Sequence, residues 1–238
     1  MESRAFTTPL GEIRLSGEPQ AFDGAKPVVL VIKGAFAVEG GPYANLHLRL
    51  PEAAVLLAQL PGHYAPPLAE TSIEAFAAAF GHVIRTVFAD RRVVVWGESL
   101  GGLVALAIEA PNVRRLLLDP PLHTGKLWPS APNFRRIYER HPEHRTFLAN
   151  VLGVTAEGVE DRDYTGLFGR PARMLIGDVP LWPPRAFETA PSVLDDADRQ
   201  FLAGRPEIEL TVLPGVGHTL FNHARTAVLD AARALLNP

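Results

Sequence analysis

The chain has 238 residues, 47% hydrophobic and 21% charged, a balance that fits one large globular domain and excludes a disordered chain. A net charge of −3 leaves no basic excess for a general nucleic-acid binder, and no apolar run reaches the roughly 18 residues of a membrane span. The absence of cysteine excludes disulfides, thiolate zinc sites and a cysteine nucleophile, and with no signal-like start the expected compartment is the cytoplasm.

Taken in chain order, Ile13-Arg14-Leu15 predicts an edge hairpin. Short apolar runs at 27–32, 53–60, 92–96, 113–118, 172–176 and 208–213 each stop at a glycine or proline turn. Such runs read as parallel central strands buried on both faces. Helical patterns separate them at 72–88, 100–110, 192–203 and 219–236. The first places Ile73, Phe76, Phe80, Val83, Ile84 and Val87 on one stripe, with Ser72 as its cap. The third opens with Ser192-x-x-Asp195, a variant capping signature. Strands alternating with helices predict an α/β fold, a mostly parallel sheet with helices on both faces.

Residues 122–170 break this rhythm. They are too many for a simple crossover and read as a helical lid inserted into a core of 1–121 and 171–238. The insert carries Trp128, Phe134, Tyr138, Phe147 and Phe168, with Arg135, Arg136, Arg140 and Arg145. Those aromatics would pack the insert and the arginines would form a solvated face. Alternatively, the arginines would roof the site of an anionic acyl or carboxylate substrate.

Residues 93–102 read Val-Val-Val-Trp-Gly-Glu-Ser-Leu-Gly-Gly. Within them Gly97-x-Ser99-x-Gly101 lies between a strand and an apolar helix. A serine there sits on a strained turn, which needs small residues two before and two after. The N–H of Leu100, at the helix start, would face a developing oxyanion. The serine needs a base, and His218 stands in the loop between the last strand and the last helix. Gly215 and Gly217 let that loop bend close. His63 comes too early in the chain, and the other histidines fall on helices or in the insert.

Over residues 27–236 the sequence resembles the α/β-hydrolase superfamily. The resemblance rests on Gly97-Glu-Ser-Leu-Gly101, the Leu60-Pro-Gly-His63 turn and the Gly217-His218 loop. It implies an α/β-hydrolase fold, the order serine, acid, histidine, and acyl transfer to water. Serine at position 99 sets aside the relatives that use an aspartate there.

Two features depart from the usual pattern. Most members carry the acid after the penultimate strand as Gly-x-x-Asp, with a proline four residues later. Here that register puts Pro180 at the acid position and Pro184 at the later proline, with Asp178 one loop step early. Thioesterase-like members carry the acid after the strand that follows the elbow helix, where this chain has Leu116-Leu-Leu-Asp119-Pro-Pro121. Asp119 is therefore the first candidate acid and Asp178 the alternative. Either aspartate can equally be a turn former. Glu98 is expected to point away from the turn.

The second oxyanion donor is the backbone N–H of Ala35 in Lys33-Gly34-Ala35. Lys33 replaces the usual histidine and would serve the loop or a substrate anion. No His-Gly-Gly-Gly run is present, and Gly40 with Gly41 suggests a flexible mouth. The expected substrate is a small-molecule acyl ester or thioester, the thioester being one of coenzyme A or a carrier protein. An inactive α/β-hydrolase-like binding protein is the reading from another class. No cofactor is expected, since no glycine-rich dinucleotide or phosphate loop occurs, and no metal site, since the histidines show no ligand spacing with carboxylates.

Overall fold

The computed structural model describes residues 1–37, 41–182 and 190–237. Gly40 and Pro184 lie outside them. Eight strands form one sheet: β1 Glu2–Thr8, β2 Gly11–Gly17, β3 Val28–Ile32, β4 Ala54–Ala58, β5 Val93–Glu98, β6 Val113–Leu118, β7 Ala172–Gly177 and β8 Ile208–Leu213. Their order is β1-β2-β4-β3-β5-β6-β7-β8. The hairpin of β1 and β2 is antiparallel and joins β4 antiparallel; every later pairing is parallel.

The helices are α1 Pro19–Asp23, α2 Leu46–Arg49, α3 Ile73–Val87, α4 Leu100–Ala107, α5 Ala131–Arg140, α6 Arg145–Leu152, α7 Asp196–Ala203, α8 Leu220–His223 and α9 Arg225–Leu236. They cover both faces of the sheet. The alternation of side chains along each strand decides which core a residue joins. Val93 and Val95 of β5 enter the core with α3 and α4, whereas Val94 and Trp96 enter the one with α9. Trp96 packs edge-on to Tyr43 and Phe221 at 6.0 and 5.1 Å, and those two rings stack at 4.8 Å. Contacts of this kind contribute about 0.5–1.5 kcal/mol each beyond area burial. Here they fix two walls of the cavity described below to the sheet.

Several boundaries differ from expectation for identifiable reasons. Helix α4 stops at Ala107 because buried Arg115 donates to the carbonyls of Ala105 and Ile108 at 3.2 and 2.6 Å, capping its end. Ser72 caps α3 by accepting from Ala75 N, but Val87 of its stripe is exposed. The cap of α7 is Asp195, which forms a capping box with Asp198; Ser192 is not the cap and serves the site instead. The last helix is broken at Ala224, which lets α8 hold Phe221 in place while α9 buries Val228, Leu229 and Ala232.

Residues 122–170 contain α5, α6 and three 3₁₀ turns. Helix α6 buries Phe147, Leu148, Val151 and Leu152 in the same core as α3, and Phe147 stacks on Phe76 at 6.1 Å. Lys126 pairs with Asp198 and Asp195 at 2.6 and 2.9 Å, tying the segment to the start of α7. Arg135, Arg136, Arg140 and Arg145 are exposed, so the solvated-face reading holds and the basic roof does not. Among the described residues no helix is long and apolar enough to cross a membrane.

Candidate active site

Parallel strands all end at one edge, and the loops after β3, β5, β6 and β8 meet there. Ser99 follows β5 with φ 50° and ψ −124°, a left-handed backbone that is rare outside glycine. The turn closes because its flanks lack side chains. A Cβ on Gly97 would meet the Gly101 carbonyl oxygen at 2.2 Å, and one on Gly101 would meet that of Ile32 at 2.1 Å. Ser99 N–H donates to Leu118 O at 2.9 Å, anchoring the elbow to the end of β6.

That same strand end carries Asp119, fully buried and also left-handed at φ 45°. Its Oδ2 lies 2.7 Å from His218 Nδ1 and accepts from Val193 N–H at 3.0 Å. Its Oδ1 accepts from Ser192 Oγ at 2.7 Å. Three donors satisfy a carboxylate that would otherwise be costly to bury. An ionised carboxylate only accepts, so the bond assigns the proton of a neutral His218 to Nδ1 and leaves the lone pair on Nε2.

Asp178 does not reach His218. Its Oδ1 accepts from Gly215 N–H at 2.6 Å and holds the Pro214-Gly215 turn beneath the histidine loop. The histidine loop is placed by close backbone approach. His218 N–H donates to Ala190 O at 2.9 Å, and a Cβ on Gly217 would sit 1.8 Å from that oxygen. His63 is buried elsewhere, with neither ring nitrogen hydrogen-bonded among the described residues, and burial pushes its pKa down to about 3.

Ser99 and His218 line a cavity of about 400 Å³ together with Gly34, Ala35, Leu100 and Glu98. Leu127, Ser130, Phe134 and Leu152 of the 122–170 segment close its other side. Ser99 Oγ makes no hydrogen bond to another described residue. Neither the Ala35 nor the Leu100 N–H donates to a carbonyl among the described residues, and both residues line the cavity. Lys33 is buried, with its ammonium 5.6 Å from the Tyr43 ring centroid. Glu98 does not turn away: it lines the cavity, and burial pushes its carboxyl up to about 7 against the opposing pull of His218 and Lys33.

Sequence reasoning missed three things. Ser192 and Val193 hold Asp119, and the only signal was two competing cap residues, Ser192 and Asp195, before one helix. Glu98 lines the cavity, where the sequence predicts a side chain leaving the turn in another direction. His141, Glu143 and His144 bring ligand-type atoms within 4.8 Å of one another, although their spacing alone did not suggest it.

Comparison with known proteins places this geometry in context. The model of the alpha/beta hydrolase family matches residues 34–231. No protein of curated function matches the sequence. A thermophilic esterase from Thermogutta terrifontis, solved with malate bound, is similar at TM-score 0.64 and 20% identity, covering 99% of this chain and 98% of that one. Naproxen esterase from Bacillus subtilis is similar at TM-score 0.68 and 16% identity, covering 99% and 91%. A proline iminopeptidase from Mycobacterium smegmatis is similar at TM-score 0.62 and 13% identity, covering 99% and 97%. At these identities the likeness is one of fold, and the names already span different bonds cleaved.

Proposed function

Because this chain belongs to the alpha/beta hydrolase family, we propose that it is a serine hydrolase that cleaves an ester of a small acyl substrate through an acyl-enzyme on Ser99. The observation that carries this reading is the 2.7 Å bond between buried Asp119 and His218 at the cavity that also holds Ser99. His218 Nε2 takes the Ser99 proton as Oγ attacks the carbonyl, and Asp119 holds the ring and stabilises the imidazolium. The N–H groups of Leu100 and Ala35 hold the tetrahedral oxyanion, each donor contributing about 3 kcal/mol in such sites. His218 then protonates the leaving group, and water repeats the sequence on the acyl-enzyme.

Asp119 after β6, in place of an acid after β7, favours a second reading, a thioester of coenzyme A or a carrier protein. Residues 122–170 act as the lid over a core of 1–121 and 171–238, since four of their side chains close the cavity. No cofactor enters the scheme, and the cysteine-free chain keeps the cytoplasm as the compartment proposed.

The test is hydrolysis of a short acyl p-nitrophenyl ester, with fluorophosphonate labelling alongside. Wild type is expected to turn over and to label. Ser99→Ala should do neither, and Asp119→Asn should lose about 10⁴-fold in kcat. Asp178→Asn should keep most activity. If wild type neither labels nor exceeds Ser99→Ala, the protein is an inactive binding protein. If Asp178→Asn collapses and Asp119→Asn does not, the acid is wrongly assigned.

A further inference from the structure

We propose that His141, Glu143 and His144 form a binding site for a divalent transition-metal ion of the zinc class, at the elbow between α5 and α6. The local chain geometry builds it. His141 ends α5, Pro142 follows, and residues Pro142–His144 wind as a 3₁₀ turn closed by His144 N–H to His141 O at 3.0 Å. A 3₁₀ turn has about three residues per turn, so side chains three apart eclipse one another. The two imidazoles accordingly face each other with centroids 5.7 Å apart and planes 32° apart.

Glu143 reaches back to the same place. Its Oε1 lies 3.2 Å from His141 Nδ1. Two ligands at about 2.0–2.1 Å from a tetrahedral zinc stand about 3.3 Å apart, so this edge already has the separation a metal needs. One ligand atom from each residue falls within 4.8 Å of the other two, and rotation of the exposed Glu143 and His141 side chains closes the rest. Two histidines and one carboxylate leave a fourth position for water or a further ligand.

The third member is anchored in the way metal histidines usually are. His144 is buried, and its Nδ1 faces the Gly62 carbonyl at 3.4 Å. With the Nδ1 proton directed at that carbonyl, Nε2 keeps the lone pair for a metal. The same ring packs on Phe36 at 5.5 Å and on Tyr64 at 6.1 Å. Phe36 directly follows Ala35, so the ion would brace the 122–170 segment against the loop that carries the proposed oxyanion donor. This site is independent of the hydrolase reading.

The experiment uses the untagged full chain, stripped with chelator. Zn²⁺ is titrated by calorimetry, Co²⁺ by visible absorption, and Tm is measured with and without Zn²⁺. Wild type should bind one equivalent and melt higher with metal. His141→Ala and Glu143→Gln change exposed side chains and should fold, yet bind at least about tenfold more weakly. His218→Ala should bind as wild type does. Absence of saturable binding, equal binding by wild type and His141→Ala, or loss of binding in His218→Ala would overturn the proposal.

Discussion

Backbone strain in this molecule is local. Among the described residues, the three non-glycine positions with positive φ are Phe36, Ser99 and Asp119. Each stands just beyond the end of a central strand, next to or within the candidate site. Such positions cost about 1–3 kcal/mol each and persist where the surroundings over-determine them. The Gly-x-Ser-x-Gly spacing made the strain at Ser99 legible in the sequence. Asp119 could be named as a candidate, but the choice over Asp178 needed the Ser192 and Val193 donors, which come from a loop more than 70 residues away. The place of Glu98 on the cavity wall was not legible, because spacing alone does not say which wall of a tight turn a side chain faces.

Glu98 gives a residue-scale prediction. Burial pushes its carboxyl up to about 7 from the ordinary 4.5, so the folded state holds its proton more tightly than the unfolded state. The sign follows: stability falls as pH rises from about 4.5 to about 7 and is level above that. Glu98→Gln should therefore match wild type near pH 4.5 and exceed it at pH 8, by roughly 3 kcal/mol at most. Urea melts at the two pH values measure this. A pH-independent difference would mean that Glu98 titrates as an ordinary carboxyl.

At the scale of elements, the sheet was readable because its strands are short apolar runs closed by turn residues. The boundaries that moved were set by partners remote in sequence, as with Arg115 at the end of α4. Helix α5 carries a consequence for specificity. Phe134 lies on the wall shared by the candidate-site cavity and a second, mostly apolar cavity of about 330 Å³, with Leu127 and Leu152. Removing the ring should join the two spaces. Phe134→Ala is expected to raise kcat/KM for octanoyl over acetyl esters by about tenfold, the order of effect expected for apolar pocket contacts. Because Phe134 is only partly buried, the stability cost should stay below the roughly 3 kcal/mol of a fully buried phenylalanine. An unchanged ratio would place the acyl group elsewhere.

At the scale of the whole molecule, the sequence pattern led directly to a mostly parallel sheet covered on both faces. How deeply the 122–170 segment enters the core was not legible, because a lid and a core element share the same helical periodicity. Phe147 and Phe168 belong to the main apolar core, so the segment is folded with the sheet and does not simply rest on it.

The bond from Asp119 to His218 spans 99 residues. At about 5–20 residues per second of synthesis, Ser99 and Asp119, the proposed nucleophile and acid, leave the ribosome ~5–20 s before His218, the proposed base. On the proposed mechanism, a nascent chain with a finished elbow is chemically silent until the loop after β8 is made. Among the described residues β8 pairs only with β7 and has one buried side chain, Ile208, whereas β5 is buried along five of six positions. The strand that precedes His218 is thus held by the core far less than the strand that precedes Ser99. In rising urea, ester turnover should vanish before the amides of β5 lose protection from hydrogen exchange. Coincident loss would mean that β8 unfolds only with the rest of the sheet. If the order is as expected, catalysis reports the docking of one edge strand, and a cell degrading partly opened copies would meet an inactive protein before an unfolded one.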